Sequence, residues 1–211
     1  MGMQYDDAIA ALVEKLKNDS TLAESAQKLT EADKIRCYDD KLPADLLSAA
    51  ILDVEKRGWQ YGWRSNKKMG FGHWNIVLSD SKVEREEVYH EVDDSIRALW
   101  DFIQPRFMPT TPVLVRAYAN AHTFGVEGYV HRDSKFETDE TCIIYYEPDW
   151  RAEWAGETAF FNEAQDDVIR AVLPKYGRMT IFPGNIRHVG RAVSRICPVA
   201  RRVLVFKGRP K

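Results

Sequence analysis

Past Pro112 the chain changes rhythm. Eight short segments follow one another within residues 112–207: VLVRAYA, GYVHRD, TCIIYYE, ETAFFN, VIRAVLP, RMTIFP, IRHVGRAV and RRVLVFK. Each is rich in β-branched and aromatic residues, and Gly, Pro, Asp or Asn separates them. The gaps are too short for helical crossovers. So many short strands at this spacing predict a double-sheet jelly roll or barrel. A sheet of this kind needs helices packed on an outer face.

The first half of the chain supplies candidates for those helices. Ile9, Leu12, Val13 and Leu16 recur at helical spacing,. A second helix is expected between Pro43 and Gly58, the usual order of helix punctuation,. A third carries Val88, Val92, Ile96 and Leu99 and is expected to stop before Pro105. Between the last two lies GWQYGWRSNKKMGFGHWN, which reads as a loop or a short strand pair. The expected class is α+β: a mainly helical support over residues 1–111 and a β core over 112–207, within one domain. No repeat or low-complexity segment interrupts it.

Charge and cysteine content exclude several function classes. The net charge is -2 with both signs mixed, so nothing argues for nucleic acid or an anionic membrane as partner. No apolar run reaches membrane-spanning length. The first segment lacks the apolar core of a secretory signal. Asp6 stands where an N-myristoylation pattern needs Ser or Thr,. Cys37, Cys142 and Cys197 form no CxxC pair, which predicts reduced thiols and a cytoplasmic setting,. Cys142 reads as a small core residue.

The segment GYVHRDS carries the chemistry. Alternate strand residues share a face, so His131 and Asp133 lie together and Arg132 points the other way. Two histidines and one carboxylate on one side of Fe(II) leave the opposite side open for co-substrate and oxygen. Of His73, His90, His122 and His188, the last is the best third ligand because it follows a late β segment. HxD alone is a weak signal, since most such pairs are surface polar groups. An anion site strengthens it. A 2-oxo acid that chelates the metal leaves a far carboxylate in need of a cation, and arginine's planar fork suits it. Arg201 and Arg202 open a strand otherwise made of Val, Leu and Phe. Only one can face inward, and an inward arginine there suggests a buried anion.

In this order, RAYANAHTFGVEGYVHRDS, TCIIYYEPDWRAEWAGET, YGRMTIFPGNIRHV and RRVLVFK resemble the Fe(II)/2-oxoglutarate-dependent dioxygenases, especially their prolyl-4-hydroxylase-like branch. The resemblance implies a double-stranded β-helix with His131, Asp133 and His188 as iron ligands. It implies Tyr145 on the far carboxylate of 2-oxoglutarate and Tyr118 near the co-substrate. Arg201 matches the family's basic residue, with Leu204 and Phe206 at its apolar positions; a one-residue register shift would put Arg202 there. The implied reaction takes O2 and hydroxylates an unactivated C–H of a prolyl or amino-acid-like substrate, in a protein or a small molecule, with succinate and CO2 as products. Asp133 separates the chain from related halogenases, which lack that carboxylate.

Two departures stand out: Ala155-Gly156 replaces a common Gly-Gly pair, and the stretch from His188 to Arg201 is longer than usual. The resemblance does not cover residues 1–105, where substrate choice often resides. Trp63, Arg64 and Trp74 are the candidates for substrate contact, although the same stretch could be a packed connection. Arg132 and Arg187 flank ligands, and alternation turns both away from the metal. The competing classes are a cupin-type dioxygenase without 2-oxoglutarate, which would usually carry more histidines, and a non-catalytic binding or sensing module. Nucleic-acid oxidation lacks a basic stripe to support it.

Overall fold

In the computed structural model the described residues are 31–64, 70–80, 83 and 85–211. The helix expected around Ile9 to Leu16 lies outside them. The described strands are β1 (Arg36–Tyr38), β2 (Gln60–Trp63), β3 (His73–Asp80), β4 (Val113–His122), β5 (Glu140–Tyr145), β6 (Thr158–Phe161), β7 (Val168–Val172), β8 (Met179–Pro183), β9 (His188–Gly190) and β10 (Arg201–Arg209). The helices are α1 (Ala44–Glu55) and α2 (Asp94–Phe107). Neither is long and apolar enough to cross a membrane.

Pro43 precedes α1 with φ -60°, the value its ring imposes, and its carbonyl accepts from Leu47 N at 3.0 Å,. Leu47, Ala50 and Val54 then form one buried stripe. In α2 the stripe is Ile96, Leu99, Trp100 and Ile103. This helix starts later than the apolar spacing suggests. Val88 gives its N–H to Leu114 O at 2.9 Å, Tyr89–Glu91 form a short 3-10 turn, and Val92 is extended at ψ 153°. Val88 and Val92 are still buried, so helical spacing here spans two different backbones. The helix also runs through Pro105 to Phe107. In the last turn a missing N–H costs only one bond, so the proline does not end it.

The seven-stranded sheet has the order β1-β8-β5-β10-β4-β3-β2, and a three-stranded sheet has the order β7-β6-β9. Three strands of the larger sheet therefore come from residues 36–80, a region expected to be mainly helical. The aromatic stretch is the anticipated strand pair: β2 and β3 run antiparallel, with Tyr61 opposite Trp74 and Trp63 opposite His73. GYVHRD, expected as a strand, makes only an isolated bridge between His131 and His188. The chain has the two-sheet jelly-roll architecture.

Strand alternation separates two cores. On the outer face Ala117, Ala119, Cys142, Ile144, Leu204 and Phe206 pack against the two helices. Trp100 reaches across to Phe206, with ring centroids 5.8 Å apart. On the inner face Tyr118, Ile143, Tyr145, Val203 and Val205 meet Phe160 and Phe182 between the sheets. Strand β10 shows the division residue by residue. Leu204 and Phe206 face the helices, while Arg201, Val203, Val205 and Lys207 face inward.

Candidate metal centre

The backbone brings the two histidines together. His131 N donates to His188 O and His188 N donates to His131 O, both at 3.0 Å. Asp133 N and Ser134 N both donate to Gly184 O at 2.9 Å, which fixes the residues after the bridge. The side chains then converge. His131 Nε2 lies 3.4 Å from Asp133 Oδ1, and His188 Nε2 lies 3.4 Å from Asp133 Oδ2. One ligand atom from each residue falls within 4.8 Å of the others.

Hydrogen bonds select the tautomers. His131 Nδ1 donates to Tyr129 O at 2.7 Å and His188 Nδ1 donates to Ile186 O at 3.0 Å. Each Nε2 is left with its lone pair directed at the common centre, as metal-binding histidines require. Burial holds the His188 imidazole neutral and lowers its pKa to about 4. Burial alone would raise the Asp133 carboxyl, but the Lys207 ammonium beside it holds it well below the usual carboxylate range. Thr141 Oγ1 donates to Asp133 Oδ2 at 2.7 Å, and Lys207 Nζ lies 2.7 Å from Oδ1. Two imidazole Nε2 atoms and one carboxylate are a donor set that fits a divalent iron site.

The same narrow cavity reaches Arg201, whose residue is only 2 % exposed. Its Nε donates to Gly156 O at 2.5 Å and its Nη2 to Thr158 Oγ1 at 2.7 Å. The Tyr145 hydroxyl meets that Thr158 oxygen at 2.6 Å, and the guanidinium carbon stands 5.3 Å from the Tyr145 ring centroid. Among the described residues no carboxylate forms an ion pair with Arg201. A buried cation whose partners are neutral marks a place for an anion. Arg202 lies on the other face and pairs with Glu147 at 2.5 Å and Glu55 at 3.2 Å.

No known protein-family model matches the sequence, and no curated protein matches it. Solved structures do match. A 2OG-Fe(II) oxygenase family oxidoreductase from Burkholderia pseudomallei superposes with TM-score 0.64 at 15 % identity, over 87 % of this chain and 90 % of that one. A Pseudomonas putida prolyl-4-hydroxylase gives 0.58 at 14 %, over 87 % and 99 %. A Trichoplax adhaerens prolyl hydroxylase in complex with a hypoxia inducible factor peptide gives 0.56 at 10 %, over 92 % and 96 %. The chain has the 2OG-Fe(II) oxygenase fold.

Within that oxygenase fold, Ala155 occupies the first position of the usual Gly-Gly pair with φ 55° and ψ -136°, and Gly156 follows at φ 75°. Both are left-handed, which explains the glycine preference there. A Cβ on Gly156 would come within 3.3 Å of Arg201 Cδ. Tyr118 lines the cavity on the ligand face.

The substrate candidates separate. Trp63 is on the triad's face, with the Arg116 guanidinium 4.8 Å from its ring. Trp74 points to the opposite face, stacks edge-on with Tyr61 at 5.1 Å, and lines a different cavity with Glu55, Trp59 and Arg202. Arg64 is exposed just beyond β2. The structure therefore does not bring Trp74 or Arg64 to the triad. Arg132 and Arg187 turn outward and share Glu163.

Sequence reasoning missed several polar residues of the cavity, Thr158, His73 and His122 among them. Thr158 joins Arg201 to Tyr145. His73 and His122, passed over as ligands, are the first residue of β3 and the last of β4, and their rings meet edge-on at 5.0 Å. Both Nε2 atoms are buried and have no hydrogen-bond partner among the described residues. Burial lowers the pKa of His73 to about 4 and that of His122 well below the usual value. Extending strand alternation by two residues from Tyr118 and Asn120 would have placed His122 inward.

Proposed function

We propose that the chain is an Fe(II)/2-oxoglutarate-dependent dioxygenase that hydroxylates an unactivated C–H bond of a prolyl or amino-acid-like substrate. One observation carries the reading: a two-histidine, one-carboxylate set and a buried arginine without an anionic partner line a single cavity. Iron with 2-oxoglutarate and O2 supplies the oxidising power, and the keto acid leaves as succinate and CO2.

The chain's own residues do the holding. His131, Asp133 and His188 bind the metal, with the histidine tautomers set by Tyr129 O and Ile186 O. Arg201 holds the far carboxylate of the co-substrate, and Tyr145 with Thr158 orients the guanidinium. Tyr118 closes the wall beside them. Ile143, Val203 and Val205 keep water from the cavity, which strengthens each charge contact. Trp63 stands on the substrate side, and a peptide or a small molecule is the partner. Three unpaired thiols support a reducing, cytoplasmic setting,.

Anaerobic titration with Fe(II) and 2-oxoglutarate tests this through the weak visible charge-transfer band of the chelate. The band is expected in the wild type and lost in His188→Ala. In Arg201→Met the 2-oxoglutarate concentration needed for half-saturation rises by about tenfold or more, the loss of a charge-assisted bidentate contact. Bound metal without a band would favour a dioxygenase that does not use 2-oxoglutarate. Absence of metal binding would leave a binding module.

A further inference from the structure

A second cavity of about 190 Å³ adjoins the first and shares Asp133 and Thr141 with it. Its wall carries Arg85, Arg116, Asp139, Glu140 and Lys207. Most of these charges are matched inside the protein. Arg85 pairs with Asp139 at 2.9 Å, and Glu140 pairs with Arg36 and accepts from Thr111 at 2.9 Å. Lys207 differs. Its side chain is 15 % exposed, its Nζ stands 5.5 Å from the Tyr118 ring centroid, and its ion-pair partner is the metal-binding carboxylate itself.

Resting on the dioxygenase reading, a formal charge count shows what this means. The metal contributes +2, Asp133 -1, 2-oxoglutarate -2 and Arg201 +1, and these sum to zero. Asp133 is then fully used, and the Lys207 ammonium is one positive charge in excess beside a dication. A buried charge of this kind requires a counter-charge. The two ligand-holding ends of β10 also differ in surroundings: Arg201 bonds to Gly156 O and Thr158 Oγ1, whereas Lys207 lines the second cavity.

We infer that Lys207 binds a carboxylate of the primary substrate, so that the enzyme acts on a small molecule with a free acid group, such as a free amino acid, rather than on an internal peptide residue. Arg116, which lines the same cavity with its guanidinium 4.8 Å from the Trp63 ring, bounds the remainder of that substrate. Lysine suits the role because its ammonium can move from Asp133 to an incoming carboxylate on a flexible stem.

The test uses the full chain loaded with Zn(II) and 2-oxoglutarate. Ligand-observed NMR compares the twenty common amino acids as free acids and as C-terminal amides. At least one free acid is expected to bind about tenfold or more tightly than its amide, the gain of one charge-assisted contact. In Lys207→Met that preference should fall to less than about twofold, and in Lys207→Arg, which keeps the charge, it should persist in part. Equal binding of acids and amides by the wild type overturns the inference, as does an acid preference that survives in Lys207→Met. The Fe(II)/2-oxoglutarate band is recorded in parallel. Its loss in both lysine variants, with the wild-type band intact, would make Lys207 a holder of Asp133 and also overturn the inference. Its absence from the wild type would sink the dioxygenase reading instead.

Discussion

The two faces of the larger sheet are made by the same strands under opposite rules. The outer face is closed by the protein itself: Phe206, Leu204, Ile144 and Cys142 are covered by α1 and α2 and are almost wholly buried. The inner face begins the same way, with Val203, Val205 and Ile143, but it is interrupted by Arg201, Lys207, His122 and His73, with Asp133 set against it. Burying such groups is costly unless something compensates them. The outer face is therefore explained by folding alone, and the inner face only by a ligand.

Substitutions can break or sharpen that contrast. Phe206→Ala should cost about 3–5 kcal/mol of stability by denaturant unfolding, because the ring is fully buried against Trp100,. The folded fraction should keep its affinity for 2-oxoglutarate. A large change in that affinity would show that the two faces are not independent.

Acid should act on the inner face. His73 and His188 titrate near 4 in the fold because burial disfavours their charged forms. The unfolded chain takes up protons from about pH 6.5 downward, while the folded protein stays neutral at these sites. Metal-free stability is thus complete above about pH 6.5 and falls as pH drops toward 4, by at most about 3 kcal/mol per imidazole. Thermal melts across that window check the slope, and His73→Phe should flatten it. An unchanged slope would remove His73 from the account.

The smallest effect concerns Ala155. Its φ of 55° with ψ -136° suits glycine, so Ala155→Gly should stabilise the protein by about 1 kcal/mol. A calorimetric melt that shifts downward would mean that the alanine methyl contributes more than its backbone strain costs.

The same contrast explains what could be read from the sequence. The two-residue spacing marked His131 and Asp133 as a candidate pair; that only one of Arg201 and Arg202 could face inward was legible too, but not which one, and the structure buries Arg201. The later strands were legible from their turn residues. The start of α2 was not, because Val88 and Val92 keep helical spacing while Val88 bonds to Leu114. β1 lacked a local signal: its pairing partner, β8, lies far along the chain. Trp74 was misplaced for a related reason. Composition marks an aromatic stretch, but only the register with Tyr61 decides which side each ring takes.

The paired amides of His131 and His188 have a consequence for engineering. The bonds that bring the two histidines together run between main-chain atoms, and Phe160 and Phe182 pack against the His188 ring. Positions such as Arg132 and Arg187, which look away from the centre, and Arg116, which lines the second cavity, can therefore be varied as a library. Lys207 is different, because it touches both the wall and Asp133.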